Sequence, residues 1–442
     1  MTNLFGHSIP SSLLSLFALE AAASLGAFYL ILLWGIPEGA ALSHLQLLSI
    51  AALFTACASL AGGATGLYSP RCWLRANRVA ASAVLAGIAF VVVGEFLFPE
   101  MSAASGAALP MLAQAGFVGA FVAAVVSSRL LFAAAARRGM LNGRVVLVGS
   151  DPTPMPQRLP PEVATVLHAG ASLDAELAPE RLRSLRASTV VVRDPGELAV
   201  TTRVRLAAAN VRVMSEAEWL ECCSAEVDIA SLPTGWLAGL DQRQEGVLEA
   251  GVRRALDVTL SLALLLFTLP ILILTAIAIK LDSPGPVFYR QDRVGRDGRT
   301  FTLFKFRSMR QDAEVAGAPI WAQKGDAWVT RTGRFLRLTR IDEIPQVFNV
   351  LLGHMAFVGP RPERPGFVED LARQIPHYEA RHVVKPGITG WAQVNYPYGA
   401  SVEDARRKLA FDLYYVKRRS LFLDLLIIIS TVRVVLFQEG SR

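Results

Sequence analysis

The sequence predicts a membrane protein in three parts: an α-helical N-terminal bundle, a small α/β Rossmann-like middle domain, and an α/β membrane-associated C-terminal domain with a re-entrant, Pro-broken helix. The 442-residue chain is 52% hydrophobic and only 18% charged, which is apolar for a soluble protein. Long apolar stretches come first, strand-like runs follow them, and a last apolar stretch carries a proline at its middle. These observations predict boundaries at residues 1–140, 141–240 and 241–442.

The N-terminal part contains four long apolar stretches, at Leu13–Gly35, His44–Tyr68, Val79–Phe98 and Leu109–Ala136. Each is about long enough to cross roughly 30 Å of hydrocarbon as a helix. Hardly any polar face recurs at helical spacing, so buried helices of a soluble bundle are the weaker interpretation. The stretches therefore predict a multi-pass membrane domain.

The charges around these stretches predict their orientation. The second loop carries Arg71, Arg75 and Arg78, and the segment after the fourth stretch carries Arg137, Arg138 and Arg144. The first and third loops carry Glu38 and Glu100, respectively, and no Lys or Arg. The positive-inside rule puts the arginine-rich loops and the N-terminus in the cytoplasm. Glu20, Glu95 and Arg129 fall inside the stretches, and we expect them to face the bundle interior or to snorkel.

Residues 141–240 alternate strand-like and helix-like patterns. Apolar runs beginning at Arg144, Thr189 and Val211 are typical of buried strands. Their position resembles a dinucleotide-binding half, but the turn Gly149–Pro152 lacks the Gly-x-Gly-x-x-Gly pattern that lets backbone approach a pyrophosphate. We therefore expect a Rossmann-like domain without a cofactor, which serves as a regulator or a spacer.

The last apolar stretch, Val258–Ile279, contains no charge and has basic residues on both flanks. Pro270 lies at its middle, where a proline removes one helix hydrogen bond and kinks the axis. A full crossing would carry the arginine-rich C-terminal part outside, against the positive-inside rule. The sequence thus favours a helix that enters the membrane and returns to the cytoplasmic side, with a kinked spanning helix as the alternative.

An acidic pair in a basic setting is the most informative feature of the C-terminal part. Asp342 and Glu343 lie in the run Leu338–Gln346, and Gly359–Pro362 with Arg361 at its centre follows shortly after. A carboxylate can attack phosphorus or bind a metal ion, while guanidinium groups grip phosphate oxygens. An isolated acidic pair would more often lie in the first turn of a solvated helix. The pair alone therefore does not predict a catalytic site, and the other motifs of the chain are needed.

Further motifs flank the pair in order: Pro284–Pro286, Val287–Gly295, Phe301–Met309, Val358–Arg364 and Lys385–Asn395. This set resembles the catalytic domain of the bacterial sugar transferases, the polyprenyl-phosphate hexose-1-phosphate transferases of the monotopic phosphoglycosyl transferase superfamily. The resemblance extends from about Arg253 to Phe437, and the leading helices with an α/β domain resemble the large form. One departure is visible: family members commonly have Ser directly before the helix-breaking proline, where this chain has Thr268, Leu269 and then Pro270.

The resemblance implies a reaction and its partners. Such enzymes transfer a sugar-1-phosphate from a UDP-sugar to a polyprenyl (undecaprenyl) phosphate in the membrane. The products are a polyprenyl-diphosphate sugar and UMP, and the step initiates exopolysaccharide or O-antigen biosynthesis. The resemblance also implies Mg²⁺ as the cofactor, contact with membrane lipids, and a bacterial inner-membrane location with the catalytic domain facing the cytoplasm.

The resemblance also assigns roles to individual residues. Asp342 matches the nucleophile that forms an aspartyl phosphosugar intermediate, and Glu343 matches its acidic partner; both are expected Mg²⁺ ligands. Lys305, Arg337 and Arg361 match basic positions expected to bind substrate phosphates. From the residues alone, Lys305 fits the solvent side of a strand equally well, Arg337 a lipid-facing basic patch, and Arg361 a turn cap.

Other features leave alternatives open. Leu421–Phe437 fits an interfacial helix, a core helix or a further span, and Trp391 and Tyr396 fit either the membrane interface or the substrate pocket.

No basic-aromatic motif indicates nucleic acid as a partner. A sugar-nucleotide dehydratase would need an intact Gly-rich turn and a Tyr-x-x-x-Lys pair, both lacking here, and an inert scaffold would not need the acidic pair. The sugar, the polysaccharide and the oligomeric state, including a homo-oligomer, stay open.

Overall fold

The computed structural model describes residues 2–4, 7–9, 11–35, 43–65, 67, 82–84, 86–87, 111–137, 144–148, 166–169, 177–184, 187–232, 246–310, 328–397, 399 and 401–436. Short strands β1 and β2 lie at Thr2–Leu4 and His7–Ile9. The chain divides into two compact units, essentially residues 8–224 (the N-terminal unit) and 225–442 (the C-terminal unit). The predicted three-part division stays a prediction.

The N-terminal unit begins with apolar helices, as predicted. They are α1 (Ser11–Gly35), α2 (His44–Ala64) and α3 (Met111–Arg137). Among the described residues, Leu14–Leu33 and His44–Gly63 are long and apolar enough to cross a membrane, and a shorter apolar helix spans Gly116–Phe132. Most of the third predicted stretch, together with Glu95, lies outside the described residues; 82–84 and 86–87 are helical.

A buried ion pair joins two of these helices. Arg129 on α3 donates through Nε to Oε1 of Glu20 on α1 (2.7 Å) and through Nη2 to the carbonyl of Leu67 (3.0 Å). Both side chains are at least nine-tenths buried. The structure therefore places these two predicted interior charges against each other, where each offsets the cost of burying the other.

The rest of the N-terminal unit contains a four-stranded parallel sheet. Its strands and helices are β3 (Arg144–Val148), β4 (Val166–Ala169), α4 (Pro179–Ser184), β5 (Ala187–Val192), α5 (Val200–Ala208), β6 (Arg212–Ser215) and α6 (Glu216–Ser224). The strand order is β4-β3-β5-β6, the order of flavodoxin-like doubly wound sheets. Three of these strands were predicted from the sequence, and β4 was not. The turn Gly149–Pro152 lies outside the described residues.

The C-terminal unit combines one very long helix with short strands and helices. They are α7 (Val247–Asp282), β7 (Phe288–Val294), β8 (Thr300–Phe306), α8 (Arg331–Thr339), α9 (Gln346–Leu351), β9 (Ala356–Val358), α10 (Pro365–Gln374), β10 (Gly387–Thr389), α11 (Trp391–Asn395), α12 (Val402–Arg418) and α13 (Leu421–Leu436). Strands β7 and β8 pair antiparallel, and β9 and β10 pair parallel. The main core surrounds α12, whose Leu413, Tyr414 and Tyr415 are almost fully buried.

Helix α7 is longer than the sequence predicted and runs through Pro270 without interruption. It is long and apolar enough to cross a membrane. Pro270 deprives the carbonyl of Leu266 of its helical donor, whereas the hydroxyl of Thr268 donates to the carbonyl of Leu264 (2.6 Å). Thr268 therefore bonds a different carbonyl from the one that the proline frees.

Both ends of α7 are bonded to the rest of the C-terminal unit. Near its start, Arg254 donates to the carbonyls of Val350 and Leu351 at the end of α9 (2.6 and 2.7 Å). At its end, Asp282 accepts from the backbone N–H of Thr332 in the first turn of α8 (3.0 Å). Between these ends the helix surface is apolar and largely exposed.

Helix α13 packs into the main core. Its Leu423 and Ile427 are fully buried, and Asp424 pairs with Arg253 (3.1 Å) and accepts from the hydroxyl of Tyr415 (2.8 Å). Leu425 and Val432 remain exposed on the other side. Of the three interpretations of this segment, the structure favours a core helix with one open face.

The Glu20–Arg129 pair predicts a specific stability pattern. We expect Glu20→Ala to destabilise the N-terminal helices by about 3–5 kcal/mol, because the Arg129 charge then stays buried without its carboxylate. The double variant Glu20→Ala/Arg129→Met should recover most of this loss. Thermal unfolding of the full chain in detergent measures both effects, with Glu249→Ala at a more exposed ion pair as the control. Equal losses for the single and double variants would contradict the pairing.

Candidate active site

The two predicted acids occupy one turn of 3₁₀ helix, Ile341–Glu343, between α8 and α9. Arg340 ends α8 in the left-handed region, with φ at 60°. This backbone conformation costs a non-glycine residue about 1 kcal/mol or more, and it turns the chain sharply out of α8. Asp342 is consequently buried, at 7% exposure, although charged residues lie close to it in the sequence.

Glu343 lies at the centre of a cluster of cations. Lys305 on β8 donates to its Oε1 (3.0 Å), and Arg361 Nη2 donates to the same oxygen (2.6 Å). Arg340 approaches the other oxygen, Oε2, at 3.6 Å. Segments that lie far apart in the sequence thus meet at one carboxylate, and Lys305 faces this site rather than solvent.

The environment moves the pKa values of the two acids in opposite directions. Burial, reinforced by the charge of Glu343, raises the pKa of Asp342 to about 6, against the opposing effect of Lys305, Arg337 and Arg361. Burial would also raise the pKa of Glu343, but Arg361 and Lys305 hold it well below its usual value. Burial lowers the pKa of Lys305. Two adjacent acids with separated pKa values are typical of sites where one acid reacts and the other stays ionised.

Arg337 lies on α8, one helical turn before the acids. Its Nη2 contacts the sulfur of Met309 at 3.7 Å, and its charge helps to lower the pKa of Asp342. Arg337 therefore acts on Asp342, whereas Lys305 and Arg361 contact Glu343 directly. All five sequence-predicted site residues other than Pro270 lie in this one neighbourhood.

Asn349 fixes the strand that carries Lys305. Its side chain is fully buried; Nδ2 donates to the carbonyl of Thr302 (2.7 Å), and Oδ1 accepts from the N–H of Phe304 (3.0 Å). These bonds join the edge of β8 to α9, the helix that follows the acidic turn. The amide therefore sets the spacing between Lys305 and Glu343.

The loop that carries Arg361 is held along its whole backbone. Four consecutive carbonyls accept hydrogen bonds from other elements: Pro360 from Gly387, Arg361 from Arg381, Pro362 from Arg293 and Glu363 from Val294. A β-carbon at Gly359 or Gly387 would overlap the backbone of the opposite segment, so β9 and β10 can approach closely only with glycine at both positions. Bonds from three other parts of the C-terminal unit thus hold the loop at four successive positions.

Several residues that build this site were not predicted from the sequence. Arg293 lies inside the motif Val287–Gly295, but the sequence assigned it no role. Asn349 and Arg381 carry no local signal, because their importance comes from contacts with distant segments. For Trp391 and Tyr396 the structure shows bonds within the C-terminal unit: the indole of Trp391 donates to the carbonyl of Ala225 (2.8 Å), and Tyr396 donates to Asp404 (2.9 Å).

The carboxylates differ in their capacity for a metal ion. Oδ1 of Asp342 is buried and has no hydrogen-bond partner among the residues that the structure describes, whereas cations contact both oxygens of Glu343. Within the described ranges, no group of three or more His, Cys, Asp and Glu residues could hold a metal. Asp342 thus fits a Mg²⁺ ion only if other ligands, such as substrate oxygens and water, complete its shell.

Comparisons with known proteins identify the family of the C-terminal unit. A family model described as bacterial sugar transferase matches residues 248–438. The exopolysaccharide production protein PSS of Rhizobium leguminosarum bv. phaseoli is 42% identical over 189 residues, which cover 41% of this chain and 93% of that protein. The chain belongs to the bacterial sugar transferase family. The predicted family is confirmed, over nearly the range that the motifs indicated.

Two further relatives match this chain over a smaller share of their own length than the Rhizobium protein does. A UDP-N-acetylgalactosamine-undecaprenyl-phosphate N-acetylgalactosaminephosphotransferase of Aeromonas hydrophila is 43% identical over 238 residues, 54% of this chain and 55% of that protein. A UDP-glucose:undecaprenyl-phosphate glucose-1-phosphate transferase of Escherichia coli (strain K12) is 43% identical over 183 residues, 41% of this chain and 39% of that protein. The chain spans about half the length of these relatives, or less.

The buried amide of Asn349 yields a stability prediction. Asn349→Leu should lower the free energy of unfolding by about 2–3 kcal/mol, because the N–H of Phe304 and the carbonyl of Thr302 lose their partner. Asn395→Leu is the matched control: its half-buried amide bonds one carbonyl of its own helix, and we expect a loss below about 1 kcal/mol. Thermal unfolding in detergent compares the two variants. Similar losses would mean that Asn349 does not bridge α9 and β8.

Proposed function

We propose that this bacterial sugar transferase transfers a sugar-1-phosphate from a UDP-sugar to polyprenyl phosphate, giving a polyprenyl-diphosphate sugar and UMP. The observation that carries the proposal is the acidic pair with opposite pKa shifts inside a ring of cations. The names of the Aeromonas and Escherichia relatives support undecaprenyl phosphate as the acceptor. They differ in the sugar, so the proposal leaves the sugar open. Such a transfer would initiate exopolysaccharide or O-antigen synthesis.

The proposed reaction has two displacements at the phosphorus that carries the sugar. An oxygen of ionised Asp342 attacks this phosphorus, the bond to the bridging oxygen breaks, and UMP leaves with the bonding electrons. A phosphate oxygen of polyprenyl phosphate then attacks the same phosphorus, which breaks its bond to Asp342 and regenerates the carboxylate. Splitting the transfer in this way replaces one difficult step by two easier ones.

The cations around the acids suit this chemistry. Lys305 and Arg361 neutralise Glu343, and cations at this position would offset the negative charge of the transferring phosphoryl group. Arg337 stabilises the ionised form of Asp342. Asp342 is also the carboxylate that would hold Mg²⁺, and a bound Mg²⁺ would neutralise charge on the diphosphate. Glu343, the second Mg²⁺ ligand that the resemblance implies, would first have to release one of the cations that contact its two oxygens.

Variants of the acidic pair test the proposed nucleophile. Asp342→Asn should reduce transfer to below about one thousandth of wild type, because an amide cannot displace UMP. Wild-type protein mixed with UDP-sugar and Mg²⁺ should yield an acid-trapped phosphosugar adduct on Asp342, detected by peptide mass spectrometry. Asp370→Asn on the exposed face of α10 is the matched control. Full turnover by Asp342→Asn would refute the covalent role.

The raised pKa of Asp342 predicts the pH dependence of transfer. The nucleophile reacts only when ionised, so kcat/KM should rise as the pH increases through about 6. Arg361→Gln removes a charge that lowers this pKa, and it should move the acidic limb to higher pH. Initial rates of UMP release between about pH 5 and 8 measure both profiles. A wild-type limb near the ordinary aspartate pKa of about 4 would contradict the assignment.

We also propose that α7 is re-entrant and that the acids work at the cytoplasmic face of the inner membrane. Arg254 and Asp282 bond the same unit from opposite ends of α7, yet in a straight helix they would be about 42 Å apart, more than the roughly 30 Å of hydrocarbon. A crossing helix would put these ends on opposite sides. A bend at Pro270 keeps both on one side, with Phe267, which is 80% exposed, in the lipid.

The surface next to α7 supports membrane contact at the same level. Helix α8 exposes Phe335 and Leu338 together with Arg331 and Arg334, while its Leu336 packs against Ile279 of α7. Apolar side chains flanked by arginines suit the boundary between acyl chains and anionic head groups. The acidic turn directly follows this helix, which supports access to both a lipid phosphate and a water-soluble UDP-sugar.

Cysteine labelling tests the topology of α7. In a cysteine-free background, Leu248→Cys and Leu281→Cys lie near the two ends of α7, and both positions are exposed. A membrane-impermeant maleimide should label both in inverted membrane vesicles and neither in intact spheroplasts. Phe267→Cys serves as the buried-in-lipid control and should resist the reagent in both. Labelling of the two ends from opposite sides would establish a spanning helix.

For the N-terminal unit we propose a multi-pass anchor and a Rossmann-like domain without a bound cofactor. The parallel order β4-β3-β5-β6 supports a doubly wound fold. The sequence of the turn after β3 lacks the glycines that a dinucleotide needs. A regulatory or spacer role follows from these two features.

A further inference from the structure

A buried arginine lies directly behind the loop that carries Arg361. Arg381 belongs to the 3₁₀ helix Tyr378–Val383 and is only 6% exposed. Its Nη2 donates to the carbonyl of Arg361 (3.0 Å) and forms an ion pair with Oδ2 of Asp412 on α12 (2.7 Å). One nitrogen thus connects the core of the unit to the backbone of the proposed phosphate-binding residue.

The remaining contacts of Arg381 fix its orientation. Its Nη1 donates to the hydroxyl of Tyr378 (2.7 Å), and its guanidinium lies 5.2 Å from the centre of that ring. Asp412 is 1% exposed; burial raises its pKa to about 6, which the charge of Arg381 opposes. A buried charge of this kind is tolerated only with a partner in good geometry, so Arg381 and Asp412 depend on each other.

The local sequence explains why one carbonyl matters. Pro360 and Pro362 flank Arg361, and a residue before proline is confined to extended conformations. The bond from Arg381 holds the Arg361 carbonyl within this extended conformation and so sets the direction in which the Cα–Cβ bond of Arg361 leaves the backbone. From that starting direction the Arg361 guanidinium reaches Glu343.

We propose that Arg381, supported by Asp412, is a positioning residue that sets the direction of the Arg361 guanidinium. Arg381 reaches Arg361 through its backbone and leaves its side chain to Glu343 and substrate. The proposal rests on the proposed function, because Arg361 must bind substrate phosphate for its direction to affect the rate. Arg381 and Asp412 would then form a second layer of charged residues behind the active site, within the C-terminal unit.

A double-mutant cycle tests this dependence. Arg381→Gln should lower kcat/KM about ten- to hundred-fold in the wild-type background. In an Arg361→Gln background, Arg381→Gln should lower kcat/KM by less than about threefold, because the guanidinium that Arg381 positions is already absent. Arg381→Lys should restore part of the activity, since an ammonium can still donate to the Arg361 carbonyl. Equal costs in both backgrounds would overturn the proposal.

Controls separate positioning from general loss of structure. Arg373→Gln removes an exposed arginine on α10 that approaches Asp370 at 3.7 Å, and it should leave kcat/KM unchanged. If Arg381→Gln does not fold, Asp412→Asn provides the second variant: it keeps the side-chain shape, removes the charge behind Arg381, and should show the same dependence on Arg361.

Amide hydrogen exchange of the full chain in nanodiscs provides a readout independent of turnover. Arg381→Gln should increase exchange at Arg361, Glu363 and Arg364 and leave strand β8 unchanged. If no UDP-sugar supports transfer by the wild type, the proposed function fails, while this readout still reports on the loop. If transfer is normal and loop exchange does not change in Arg381→Gln, the positioning role is refuted and the proposed function stands.

Discussion

The candidate site depends on the balance of charge around Glu343. A carboxylate buried at this depth is tolerated only because Lys305, Arg340 and Arg361 approach it from three separate segments. The same cations would repel one another without Glu343. This mutual dependence fixes the distance between β8, the acidic turn and the Arg361 loop. It also leaves Asp342, the neighbouring acid, as the group whose pKa rises toward neutrality.

A second constraint is the use of buried or half-buried side chains to hold backbone groups. Asn349 bonds β8, Arg254 bonds the end of α9, and Arg381 bonds the Arg361 loop. Short strands and helices such as these have little intrinsic stability. Directed bonds from distant residues give them definite positions, as preorganised electrostatic sites require.

The same kinds of interaction connect the site to the long apolar helix α7. Arg307 donates to the carbonyls of Ser283 and Pro284 just after α7 (2.7 and 2.8 Å), and α8 packs on that end through Leu336. An apolar helix therefore lies within the framework of the acids rather than serving only as a distant tether. This arrangement suits chemistry in which one substrate is a lipid and the other is soluble in water.

Composition and periodicity alone determined the apolar N-terminal helices and the α/β parts, because both signals repeat over many residues. The ordered motifs determined the family and brought Asp342, Glu343, Lys305, Arg337 and Arg361 into one hypothesis. Only the tertiary structure decided that Glu20 pairs with Arg129, that α13 packs in the core, and that Arg293, Asn349 and Arg381 support the site. The physical reason is the separation along the sequence. A local pattern depends on residues that are close in sequence, whereas these contacts join residues that are tens of positions or more apart.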